Sequence, residues 1–344
     1  MTAVSRFIKN FGWPRIIILL FLILLFVMGA FYGVSTVASL RDVLVRFGMN
    51  GILVLSMVPM VQSGCGLNFG IPVGIIGGLF GAVLSLELRL GGLPGIFAAI
   101  GIAIAFALVF GWAYGLLLNR VKGDEMIIAT YVGYSFVFLM SIFWLVLPFS
   151  NPSSVQGFKG EGLRVTISVE DYWIGAFSKF LEIRITDKLV IPTGMLLFFG
   201  LMCLLVWFFF RTKTGTAMTA VGSNPEYARA AGISVNRMRT ISVMFSTALA
   251  AVGIIVYQQS FGFIQMYNAP MAFVFPSVAA ILLGGASVNK ASILNVVVGT
   301  LLFQGILTMT PSVINSMINI DASEVVRIIV TNGMIVYALT RKAR

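Results

Sequence analysis

The chain has 344 residues, 59% of them hydrophobic and 10% charged, with a mean hydropathy of +1.00. A soluble domain carries roughly a quarter charged residues, a disordered chain needs low hydrophobicity, and a barrel alternates apolar with polar residues; the long continuous apolar runs exclude all three. The net charge of +11 collects at the ends of those runs, which reads as membrane orientation rather than as nucleic-acid binding.

A helix crossing a hydrocarbon core about 30 Å thick needs about 20 apolar residues. Ten stretches qualify: 16–34, 48–66, 71–88, 96–118, 127–147, 190–210, 240–258, 273–285, 292–310 and 324–340. The expectation is an all-α polytopic membrane protein, a single transmembrane domain over 1–344 with about ten helices, some of them broken. Arg6, Lys9 and Arg15 precede the first stretch, which is too long for a signal-peptide core and is read as a retained helix. With the N-terminus inside, ten spans return the C-terminus inside. About 14 of the 23 basic residues then share the inner side with only Asp124, Glu125 and Glu226, while the outer side balances. That asymmetry supports both termini being cytoplasmic.

In chain order, the first irregular region is 62–74, where four glycines and Pro72 interrupt apolar sequence. Broken backbone at membrane depth is tolerated inside protein or along a cavity. Gln62, Asn68 and Phe69 are therefore candidates for lining a passage, against the alternative of a plain turn. Gly74, Gly77, Gly78 and Gly81 give two small-xxx-small pairs for close helix approach, within the bundle or against a second subunit. Glu87 and Arg89 read as a surface pair. Thr130, Tyr131, Tyr134 and Ser135 follow as polar residues within a span, and Gln258, Gln259, Asn295 and Gln304 do the same later. Each either lines a path or binds helix to helix. Phe261 and Phe263 could face a ring-bearing solute. Cys65 and Cys203, far apart in apolar sequence, read as packing residues.

Residues 148–189 form the largest outer loop, expected to be mainly irregular with a short strand or helix, and read either as a connector or as a rim for an external binding partner; Val165 to Val169 is rich in β-branched residues. The inner loop 211–239 is more informative. Ser223 and Glu226 fit a capping box and Pro225 suits a first turn. Ala228, Ala230 and Ala231 continue a short helix, and Gly232 ends it. Ser234 or Asn236 starts the next membrane helix, while Asp321 with Glu324 starts the last one. Such a stub, with Tyr227 and Arg229 on its rim, suits the groove of another protein. There is no histidine, no catalytic constellation, no metal-ligand cluster and no run of intramembrane acids. The last point argues against an ion-coupled carrier, the reading from a different class.

The run from Ala220 to Val235 resembles the cytoplasmic signature of the ATP-binding-cassette importer permeases for simple sugars, nucleosides and branched-chain amino acids. It agrees at Gly222, Asn224, Pro225, Glu226, Ala228, Gly232 and Ile233; Tyr227 stands where a small residue is frequent. The run from Ala279 to Ser287 is similar to the family's late Leu-Gly-Gly segment. The resemblance implies that the helix around Ser223–Gly232, including Arg229, is the coupling helix that docks on an ATPase subunit. It also implies a second permease as homo- or heterodimer, an extracytoplasmic solute-binding protein, and a bacterial cytoplasmic membrane around them. No P-loop run occurs in the chain, so ATP and Mg would sit on the partner subunit. A simple sugar is the first expectation for the solute, then a nucleoside or a branched-chain amino acid. The run Leu67–Gly74 lacks the aspartate of the sugar relatives and the glutamate of the nucleoside relatives.

Overall fold

The computed structural model describes residues 13–121, 123–155, 162–186, 189–318 and 323–340. Arg6, Lys9, Lys122, Lys159, Lys188, Asp321, Arg341, Lys342 and Arg344, with their expected roles in orientation and capping, lie outside the described residues.

The chain is built from helices. They are α1 (Trp13–Phe31), α2 (Thr36–Leu55), α3 (Met57–Gln62), α4 (Ile71–Glu87), α5 (Gly92–Arg120) and α6 (Glu125–Val146). After a long loop come α7 (Thr193–Phe209), α8 (Lys213–Ser223), α9 (Pro225–Ala230), α10 (Val235–Phe261), α11 (Val274–Leu283), α12 (Ile293–Ile318) and α13 (Ser323–Thr340). Every expected span overlaps one of these helices. By length and composition alone, five are long and apolar enough to cross a membrane: α2 with α3, α5, α6, α10 and α12. The fold is that of an all-α polytopic membrane protein.

The second span begins earlier than expected, at Thr36 rather than at 48. Ser35 caps it, accepting from Ala38 N at 3.4 Å. Arg41, Asp42 and Arg46 lie exposed on its first turns. Hydropathy locates the apolar depth of a helix, not its solvated end. The break between α2 and α3 has a local cause. Pro59 has no N–H to give the carbonyl one turn back and crowds it. At the junction, the Ser56 hydroxyl donates back along α2 to Leu53 O at 2.6 Å.

The core is α10 wedged between α4 and α5. Burial covers 78% of the most apolar window of α10 against 22% for α6, so α10 is the axis and α6 lies at the outside of the bundle. Glycines set the distances. A Cβ on Gly78 would lie 2.2 Å from Ile254 Cγ2, and one on Gly74 2.6 Å from Thr247 O. Gly77 and Gly81 meet Ala107, Ala99 and Ala103 of α5 in the same way. Both small-residue stripes are therefore used within this chain, one against α10 and one against α5. The contact with a second subunit considered for them is corrected, since no open face is left on either stripe.

At one end of the bundle, two small antiparallel pairs complete the long loop. Strand β1 (Thr166–Ser168) pairs with β4 (Phe263–Gln265), which follows α10, and β2 (Ile183–Thr186) pairs with β3 (Leu189–Ile191). Glu87 anchors this loop and does not pair with Arg89 as expected. Its carboxylate accepts from Ser150 N and Oγ, both at 2.5 Å, and from Asn151 N at 3.1 Å. Three donors aligned on one carboxylate outweigh a solvated arginine at the surface.

Candidate functional site

The opposite end carries the loop singled out in sequence. The chain leaves α7 and bends by 76° into α8, whose start is capped by Thr212 accepting from Gly215 N at 3.2 Å. Pro225 bars the residue before it from helical backbone. Asn224 is accordingly extended, at φ −155° and ψ 100°. It closes α8 and opens α9, where its Oδ1 accepts from Glu226 N at 3.1 Å and Tyr227 N at 3.0 Å. This corrects the cap assigned to Ser223. That residue is the last of α8, and its hydroxyl donates back to Thr219 O at 3.0 Å. Glu226 stands in the first turn of α9, where a negative charge suits the helix dipole.

The end of α9 is a Schellman turn. Gly232, at φ +81°, donates to Arg229 O at 3.0 Å, and Ile233 N donates to Ala228 O at 2.9 Å. Ala228 is buried on Val221 and Val235, with Ile233 and Met238 packed around them. Asn224, Pro225, Glu226, Tyr227 and Arg229 are exposed, Tyr227 by 72%. The element is a rigid knuckle, fixed inward by one alanine and showing an aromatic and two charges outward. It bears on the core at two places. Ala228 meets the first turn of α10, which starts at Ser234. Gly222 presses on the 62–64 backbone, where a Cβ added to it would lie 2.1 Å from Gln62 O.

The six residues proposed to line a passage are not brought together. Gln62 donates to Ala291 O at 2.5 Å and ties two turns. Asn68 is fully buried, donating to Ser246 Oγ at 2.8 Å and accepting from Tyr114 at 3.3 Å. Ser246 passes the chain on to Ser56 O at 2.6 Å. Phe69 sits edge-on to Phe275 at 6.0 Å. Tyr131 is 67% exposed on the outside of α6, with Tyr134 half-buried three residues on.

Gln258 stands apart from these five. It lines a narrow cleft near the β1–β4 end with Ile75, Tyr257, Phe263, Gln265 and Phe273, and among the described residues none of the other five reaches it. Gln258 is 2% exposed, yet neither Nε2 nor Oε1 has a hydrogen-bond partner among the described residues. Leaving a buried amide unpaired costs about 1–3 kcal/mol per group. Gln259, its neighbour, shows the contrast. Its Oε1 accepts from Phe177 N at 3.2 Å, and its Nε2 donates to Ser178 Oγ at 3.1 Å and Ser260 Oγ at 2.6 Å. Gln259 pins the long loop, while the Gln258 amide faces the cleft. Tyr257, Gln265 and Phe273 were missed in sequence. The available signal was Gly262, which at φ +89° turns the chain back over the end of α10.

Residues 39–338 match the family described as the permease component of branched-chain amino acid transport systems. The chain belongs to that family. This permease is 30% identical over 134 residues to the nucleoside ABC transporter permease protein NupB of Lactococcus lactis subsp. cremoris, a match covering 38% of this chain and 35% of that protein. It is 35% identical over 98 residues to the autoinducer 2 import system permease protein LsrC of an Enterobacter species, covering 28% of each chain. The matches thus span about a third of the length of these relatives. No solved structure gives a significant match.

Proposed function

We propose that this permease forms the solute path of an ATP-driven importer in a bacterial cytoplasmic membrane, with the α9 face and both termini in the cytoplasm. ATP and Mg are bound by a separate ATP-binding subunit that docks on α9. A second permease, identical or related, completes the path, and a solute-binding protein delivers from the β1–β4 side. The observation that carries this reading is the knuckle itself: an exposed aromatic and two charges on a capped stub whose one buried side chain rests on the first turn of α10. A push there travels along a continuous helix to Gln258 at its far end. Helices transmit such displacements because packed cores move between discrete arrangements rather than deforming smoothly.

The cleft around Gln258 supports an uncharged solute that carries a ring. Three aromatic side chains and two amides line it, and among the described residues no charged side chain does, Arg46 and Arg327 acting on Tyr257 only from outside the lining. A zwitterionic amino acid would lose its hydration there without a counter-charge. The cleft is narrow in this form, and a solute enters it only when the surrounding helices part. Its lining then suits a simple sugar, with amides for the hydroxyls and aromatics for an apolar ring face. It suits a nucleoside too, and the similarity to a nucleoside permease favours that reading. Uptake assays with radiolabelled ribose, uridine and leucine in cells expressing the full transporter test the assignment. Ribose or uridine uptake is expected, and competition by leucine alone would overturn it.

A further inference from the structure

Next to the knuckle lies a second cleft, of about 230 Å³, walled by Gly64, Cys65, the turn from Gly123 to Ile127, and Asn289. One ion pair closes it on the side of α10. Arg239 Nη2 donates to Glu125 Oε1 at 2.5 Å, joining the first residue of α6 to the second turn of α10. The two side chains are 10% and 15% exposed.

This pair is a poor staple. Buried charges stabilise a fold only when their hydrogen bonds are complete. Arg239 Nε is buried with no hydrogen-bond partner among the described residues, although Cys65 lies close enough to interact with the guanidinium, and the second oxygen of Glu125 is taken up by its own turn, accepting from Gly123 N at 3.0 Å. Glu87 at the other end of the bundle, held by three donors, shows what a staple looks like here. An under-satisfied pair gains solvation when it parts, which narrows the gap between closed and open forms.

The surroundings are built to move with the knuckle. Gly64, Gly66 and Gly123 have φ of +75°, +75° and +101°, so the turns on both sides of the cleft depend on glycine. Gly222, three residues before α9, presses on the backbone of 62–64. Ser63 and Ser242 share a hydroxyl hydrogen bond at 2.6 Å, and Ser242 donates to Arg239 O at 2.7 Å. A shift of α8 and α9 therefore bears on the segment that carries Cys65 and, through Ser242, on the turn of α10 that carries Arg239.

We propose that Glu125 and Arg239 form the latch of the gate at the coupling end of the solute path. Closed, the pair holds the α5–α6 turn against α10 and keeps Cys65 covered. Opened by movement of the knuckle, it releases that turn, and the cleft becomes the exit of the path. The latch rests on the permease reading above, and its test is chosen to fail separately.

Cys65 reports the gate, being 2% exposed in the closed form. The experiment uses membrane vesicles carrying the whole transporter with the α9 face outward, in a Cys203→Ala background, and a membrane-impermeant maleimide. Cys65 should label slowly in the parent. Glu125→Gln and Arg239→Gln should each raise the rate at least about tenfold, and the swap E125R/R239E should return it most of the way. Equal rates in the parent and the single variants would overturn the latch, and so would a swap that labels as fast as either single change. Where a single variant does not accumulate, Glu125→Asp replaces it. One methylene shorter, it should label at an intermediate rate, and a parental rate would count against the latch. Labelling is read without any solute, so failure here removes the latch alone, whereas failure of the transport reading shows in uptake.

Discussion

Gln258 and Gln259 are adjacent in sequence and opposite in physics. One amide is paired at both of its atoms; the other is as deeply buried with no partner among the described residues. Gln258→Leu removes an unsatisfied group, so the fold should be no less stable, while recognition loses its one buried amide. Uptake at low solute is expected to fall at least about tenfold with the amount of assembled transporter unchanged. Parental uptake in that variant would take the path away from the cleft. Gln259→Leu should do the reverse: it orphans Phe177 N and lowers thermal stability by about 1–3 kcal/mol. Sequence named both glutamines because a glutamine within a span is conspicuous. It could not separate them, because the partners of Gln259 come from a loop about 80 residues away and nothing local encodes that meeting.

The knuckle gives a second test at this scale. Asn224→Ala strips α9 of its cap, at a cost of about 1 kcal/mol, and should weaken retention of the ATP-binding subunit in a two-step purification. Ser223→Ala should leave retention unchanged, since that hydroxyl only bonds back along α8. The existence of the short helix, its Pro225 start and its Gly232 stop were legible, because proline and glycine constrain backbone wherever they stand. The cap was misplaced by one residue because the serine-to-glutamate spacing of a capping box is also met when the serine ends the preceding helix. The decisive constraint was the extended backbone that Pro225 imposes on Asn224.

At the scale of elements, the close approach of α4 to α10 holds the axis of the bundle. Gly78→Leu would drive a side chain into Ile254 and the carbonyl of Ala251. Overpacking of this kind costs about 1–3 kcal/mol, and backbone on both sides leaves little room to relax. The thermal midpoint of the purified chain should fall; an unchanged midpoint would show that α4 and α10 are not locked as described. The same substitution at Gly101, where a Cβ meets nothing within 4 Å, should be tolerated. Glycine spacing revealed that helices pack closely but not which ones, since the stripes on α4 serve α10 and α5 equally well. Helix ends were read least well. Apolarity stops where the lipid stops, and α2 runs on past it through Arg41, Asp42 and Arg46.

At the scale of the molecule, the two ends of α10 do different work. One receives the knuckle and carries Arg239; the other presents Gln258 and turns at Gly262 into the strand that pairs with the outer loop. On the function proposed above, the energy for transport enters through α9. Reconstitution tests this directly. Proteoliposomes are made with the permease alone, with its ATP-binding subunit, and with that subunit and a permease whose 225–230 segment is scrambled; all receive the solute-binding protein outside. Accumulation of solute above the external concentration is expected in the second preparation only, and only with ATP. Accumulation by the permease alone, or undiminished accumulation with the scrambled segment, would contradict the account.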